Sequence, residues 1–130
     1  MPSKPLDLYG NVARETLDGR ALEASVIERA AQRLLAAKEG MGGGEGEALL
    51  LDALKYNQKL WTFFQSELEA EDNPLPPELR RNLMALIEFI DRRTFMIMAA
   101  PSPEKLDVLI SINRNIAAGL LEQAADGEGA

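Results

Sequence analysis

Four carboxylates crowd one short stretch, Glu67, Glu69, Glu71 and Asp72, and oxygen ligands at that density are what a divalent cation needs. Alternate spacing on a helix sends these side chains in different directions, and no EF-hand pattern accompanies them, so a solvated helix end is the better reading. A second candidate is Gly40-Met-Gly-Gly-Gly-Glu-Gly46, with five glycines in seven residues. A glycine-rich loop can cradle phosphate, but no Lys-Ser/Thr follows this one and no strand pattern precedes it. Its composition suits a flexible connector instead. The chain has no histidine and no cysteine. The commonest general base, the commonest transition-metal ligand and every thiol are therefore missing together. No serine or threonine sits in a nucleophile elbow. The expectation is a binding protein, not an enzyme, with no cofactor and no metal.

The elements that would position a binding surface are helical. The 130 residues suit one domain, and the 46% hydrophobic and 27% charged content is ordinary globular usage. β-branched residues are sparse, and apolar positions recur with helical period between Gly and Pro breaks. The pattern predicts helices over about 6–17, 20–38, 47–71, 77–99 and 103–123. Asp18 is placed to cap the second helix, while Pro77 and Ser102-Pro103 open the last two. The expected core stripes are Leu22, Val26, Ala30, Leu34 and Ala37; then Leu50, Leu54, Asn57, Trp61, Phe64 and Leu68. Leu79, Leu83, Leu86, Ile90, Thr94 and Ile97 follow, then Leu106, Leu109, Ile110, Asn113, Ile116, Ala117 and Leu120. Residues 1–125 read as one all-α domain, a helical bundle of about five helices. Short connections make its last three long helices antiparallel and its better-defined part. Residues 126–130 read as a frayed acidic tail.

Net charge is −7, and the basic residues are scattered among acids. Nucleic-acid binding neutralises phosphates with clustered Lys and Arg, so direct contact with RNA or DNA is not expected. Met1-Pro-Ser-Lys-Pro-Leu-Asp7 has no apolar core for a signal peptide, and residues 95–100 are far short of the ~20 that span a bilayer. A cytoplasmic protein without membrane insertion is expected.

Two groups of side chains are candidates for recognition. Residues 77–99 carry an apolar flank beyond their core stripe: Met84 and Phe95 lie close to the side of Arg81, Glu88 and Arg92, with Ile87 and Met98 between them and the core. This flank is either a strip that binds a partner or evidence that the helix is buried on several sides. Trp61 and Phe64 are either interface anchors or core. Asn57 and Asn113 sit within apolar stripes, where an unpaired amide costs about 1–3 kcal/mol. Either they bond each other or the backbone and fix helix register, or they line a groove and bond a guest.

From Tyr56 on, Asn57-Gln-Lys-Leu-Trp61, Asn73-Pro-Leu-Pro76, Glu78-Leu-Arg80, Ile112-Asn-Arg-Asn-Ile116 and Gly119-Leu120 occur in order. With Tyr9, Leu17-Asp18, Arg20 and Leu22-Glu23, this succession resembles the FlaF family of flagellar biosynthesis regulators from about Tyr9 to Leu120. Gly19 departs from the pattern, which usually has proline there, and so softens the start of the second helix. The resemblance implies a regulator of flagellin synthesis that binds flagellin and serves its export as a secretion chaperone. It acts opposite a translational repressor of the FlbT type, and the flagellar export apparatus is a further partner. Arg80 and Arg114 fall within the matched motifs and would orient an acidic group of the partner or a helix C-terminus. Two alternatives stay open: a post-transcriptional regulator contacting flagellin mRNA directly, and a homo-oligomeric structural adaptor.

Overall fold

Proline and glycine set the helix ends. The computed structural model describes residues 19–129, with side chains as far as Glu122, and these residues form four helices. They are α1 (Arg20–Glu39), α2 (Gly46–Glu69), α3 (Pro77–Ala99) and α4 (Pro103–Gly129). Pro77 and Pro103 stand at the first helical position, where a missing N–H costs nothing. The helix expected over 6–17, and Asp18 as a cap, lie outside the described residues. The fold is all-α, with four helices described where the sequence suggested about five.

Three ends differ from expectation. The connection 40–45 is a wound turn, not a loose linker: Gly43 N–H bonds to the Gly40 carbonyl at 3.1 Å and Gly46 N–H to that of Gly43 at 3.2 Å. Gly42 has φ +89°, and a Cβ on Gly46 would lie 2.5 Å from the Gly40 oxygen, so glycine is required at both. α2 stops at Glu69, not Glu71, because Ala70 is extended and Asn73 takes over the exposed end. Asn73 Nδ2 donates to the Glu67 carbonyl at 2.9 Å, while its Oδ1 accepts from Leu75 N–H at 3.0 Å. α4 runs on to Gly129, through the region expected to fray, where Ala124 and Ala125 favour helix.

The short connections make each successive pair antiparallel. α1 packs on α2 and α4, and α3 packs on α2 and α4, so α1–α3 and α2–α4 are the diagonals of a square. The closest approach joins the first and last described helices, α1 and α4. Its cause is legible in α1, whose buried line contains Ala24, Ala30, Ala31 and Ala37, with Ala117 buried on α4. Helix separation is set by the side chains at the contact, and methyl groups let backbones come near. The better-defined part is therefore α1 with α4 rather than the last three helices. α3 sits most loosely, above all against α4.

Which edge each helix turns to its neighbour follows from three contacts. Lys38 pairs with Asp107 at 2.7 Å, and Arg114 Nε with Glu28 at 3.4 Å. All four residues come one position after a buried one (Ala37, Leu106, Asn113, Ile27), so α1 and α4 meet along their following edges. Arg33 lies over the Tyr56 ring at 4.4 Å, and both come one position before a buried residue, Leu34 and Asn57. α1 and α2 thus meet along preceding edges. Right-handed antiparallel helices around a square must alternate in this way. α2 and α3 therefore meet on following edges, and α3 and α4 on preceding ones.

Candidate partner-binding surface

The centre of the bundle is a polar layer spanning the α2–α4 diagonal. Trp61 Nε1–H donates to Asn113 Oδ1 at 3.0 Å, and Asn113 Nδ2 donates to Asn57 Oδ1 at 2.7 Å. Asn57 and Asn113 are fully buried and Trp61 nearly so. The amide pair of the first reading is therefore present, and Trp61 belongs to the core with Phe64 edge-on to it at 5.7 Å. Neither asparagine lines an open groove. Asn57 Nδ2 is buried without a hydrogen-bond partner among the described residues. Thr94, also buried, is satisfied through Oγ1 to the Ile90 carbonyl at 2.7 Å.

The expected strip on α3 divides. Ile87 is buried, and Met84 is partly buried against the core. Phe95 is 62% exposed and Met98 37%. Sequence reasoning missed Met96, 50% exposed beside them, because it searched only one flank of the helix. Together these three leave the last turns of α3 with uncovered apolar surface, continuing into Ala99, Ala100 and Pro101, all exposed. Beside them a shallow hollow is lined by Met41, Gly46, Leu50 and Pro101.

The basic candidates do not join that surface. Arg114 is engaged by Glu28 on the α1 side. Arg80 stands in the first turns of α3, with Nε buried and unpaired among the described residues, far along the helix from Phe95. Glu67 and Glu69 are exposed on α2 while Glu71 and Asp72 lie beyond it. Among the described residues no three carboxylates converge on a point that could hold a metal ion.

A second apolar row lies on the preceding edges of α3 and α4. Leu86, Phe89 and Met96 come before Ile87, Ile90 and Ile97; Val108, Ile112 and Ile116 come before Leu109, Asn113 and Ala117. All except the exposed Met96 are half-buried. The signal was present in the sequence as apolar residues immediately before core positions, but only the edge rule tells that the two rows face one another.

Among the described residues no helix is long and apolar enough to cross a membrane. The family model described as flagellar protein FlaF matches residues 6–120. No curated protein and no solved structure matches the chain.

Proposed function

The chain belongs to the FlaF family of flagellar proteins, and from this premise we propose that it is a non-enzymatic flagellin-binding protein. It covers apolar segments of flagellin before export, as a cytoplasmic secretion chaperone, and so promotes flagellin synthesis opposite a repressor of the FlbT type. The observation that carries the reading is the pair Phe95 and Met98, exposed on one edge of the last turns of α3. Unassembled flagellin has amphipathic terminal segments that self-associate when uncovered, and such segments bind as helices laid against apolar surface. Methionine, unbranched and polarizable, adapts to irregular partners. A net charge of −7 opposes self-association and contact with nucleic acid, which favours a protein partner over mRNA.

The test is co-purification of this chain with flagellin. A complex is expected from the wild-type protein. Phe95→Asp is the informative variant because its side chain is mostly in water and the fold does not depend on it. Loss of the complex with an unchanged circular dichroism spectrum supports the reading. Absence of any complex with the wild-type chain defeats it.

A further inference from the structure

The two facing rows of the α3–α4 seam are apolar at most positions, whereas ion pairs line the α1–α4 seam. On the following edges of α2 and α3 stand Lys55, Gln58 and Thr62 with Glu88 and Asp91, and the same edges carry the exposed Leu51, Phe95 and Met98. On the α1–α4 seam stand Lys38 with Asp107 and Glu28 with Arg114. The α3–α4 seam carries Leu86, Phe89 and Met96 against Val108, Ile112 and Ile116, and these two helices are the most loosely packed neighbours. An edge that only bordered solvent would be served better by polar residues. Leu86, Ile112 and Ile116 pack partly on the core, and the remainder of both rows is apolar surface between two loosely packed helices.

The charges in these rows are of one sign. Within the two facing rows the ionisable residues are Arg93, one position before the buried Thr94, and Lys105, one position before the buried Leu106. Arg93 is held over the Phe89 ring, 5.4 Å from its centroid, and Lys105 Nζ donates to the Ala100 carbonyl. Among the described side chains no carboxylate occupies either row, in a chain that has 21 acidic residues and 14 basic ones. The seam is thus locally positive in an acidic protein, and complementary charge chooses partners and their orientation.

We propose that the α3–α4 seam is a docking groove for one amphipathic helix whose apolar face is bordered by carboxylates. That helix lies along Phe89, Met96, Val108 and Ile112, with its acidic edge meeting Arg93 and Lys105. The inference rests on the reading that this protein captures a polypeptide, and it adds where the guest lies and what chemistry it presents. Phe95 and Met98, on the other edge of α3, lie outside the groove, so the two ideas separate experimentally.

The experiment uses the full chain, purified flagellin, and two synthetic amphipathic peptides of about five helical turns. The peptides share one apolar face and differ only in having Glu or Lys along its border. Photo-crosslinking residues are placed at Met96 in the groove and at Leu51 on α2, both exposed. The Glu-bordered peptide is expected to bind on the order of tenfold more tightly, as two exposed charge pairs allow. It should crosslink from position 96 and not from 51, and lose that advantage in the Arg93→Glu/Lys105→Glu protein. Equal binding of the two peptides, or crosslinking from 51 alone, overturns the groove. Flagellin that co-purifies but crosslinks only from 51 overturns the groove and leaves the proposed function standing. Groove-specific binding of the Glu-bordered peptide without any flagellin complex supports the groove and defeats flagellin as the guest.

Discussion

α4 has two long edges, and the bundle treats them in opposite ways. Toward α1 it meets alanines at the shortest separation in the fold, and that rim is closed by two ion pairs. Toward α3 it presents the half-buried Val108, Ile112 and Ile116 to a helix that packs on it more loosely. A protein selected for stability alone would place grease on the closed edge and charge on the open one. The inversion separates what holds this fold from what it offers a partner: α1–α4 is structural, and α3 is the side left available.

The largest test of that division is a pair of truncations. Leu34 is fully buried on α1, and Leu34→Ala is expected to cost about 2–5 kcal/mol, transfer and cavity together. Met96→Ala on α3, half in water already, is expected to cost less than about 1 kcal/mol. Urea unfolding of the two variants measures both. Equal losses would mean that α3 is as integral to the fold as α1. Hydrogen exchange sharpens the same point, since amides of α3 should exchange faster than those of α1 and α4 if the looser helix opens locally.

Next in size is the amide layer, which belongs to neither side of the division because it spans the α2–α4 diagonal. Asn113→Ala strands the Trp61 N–H and the Asn57 carbonyl oxygen in a buried layer at once. At about 1–3 kcal/mol for each orphaned group, the loss should approach that of Leu34→Ala. Asn57→Leu strands only the Asn113 amide group, so it should cost less. If Asn113→Ala costs no more than Asn57→Leu, the bond to Trp61 contributes nothing. A double-mutant cycle between positions 57 and 113 then isolates their coupling.

Much of this architecture was legible in the sequence, for reasons that differ by residue. Proline at 77 and 103 marks helix starts directly, and the stripe through Leu50, Leu54, Asn57 and Trp61 is a plain helical period. That Asn57 and Asn113 need partners followed from the cost of a dry amide, which is a local argument. Pairing with each other was one of the readings this left open, beside a backbone bond or a guest. The neighbour relations were not local. That α1 rather than α3 lies closest to α4 depends on four alanines acting together across a distant pair, and no short-range period reports it. The turn over 40–45 misled for a related reason. Glycine composition signals freedom in isolation, but here the same glycines permit a positive φ and a close backbone approach. The candidate surface was read in part. Phe95 is exposed as its outward place suggested, but Met84, placed outward with it, is half-buried against the core. Of the two residues placed further in, Met98 is exposed and Ile87 is sealed by neighbours that the helix wheel of α3 does not contain.

A smaller effect tests the open edge from the other direction. Gly119 comes one position before Leu120 on the α3-facing edge of α4, and a Cβ there would meet nothing within 4 Å. Glycine inside a helix loses more backbone entropy than alanine, so Gly119→Ala should stabilise the fold by roughly 0.5–1 kcal/mol. A destabilisation in thermal or urea unfolding would mean that this part of the seam is already occupied in the folded protein.

The smallest expected effect lies on the closed edge. Lys38 and Asp107 are only 2.7 Å apart, yet their side chains remain 33% and 53% exposed. Water screens such a pair, and holding a long lysine in one rotamer offsets part of the Coulomb gain, so exposed pairs contribute about 0–1 kcal/mol. Lys38→Ala should therefore shift the urea midpoint slightly, with a shift that shrinks further in high salt. Asp107→Ala should match it, and the double variant should lose little more than either alone. A loss near that of Leu34→Ala would place the cohesion of α1 and α4 in their charged rim. The near-neutral result places it in the alanine contact beneath, where the short separation of the two helices originates.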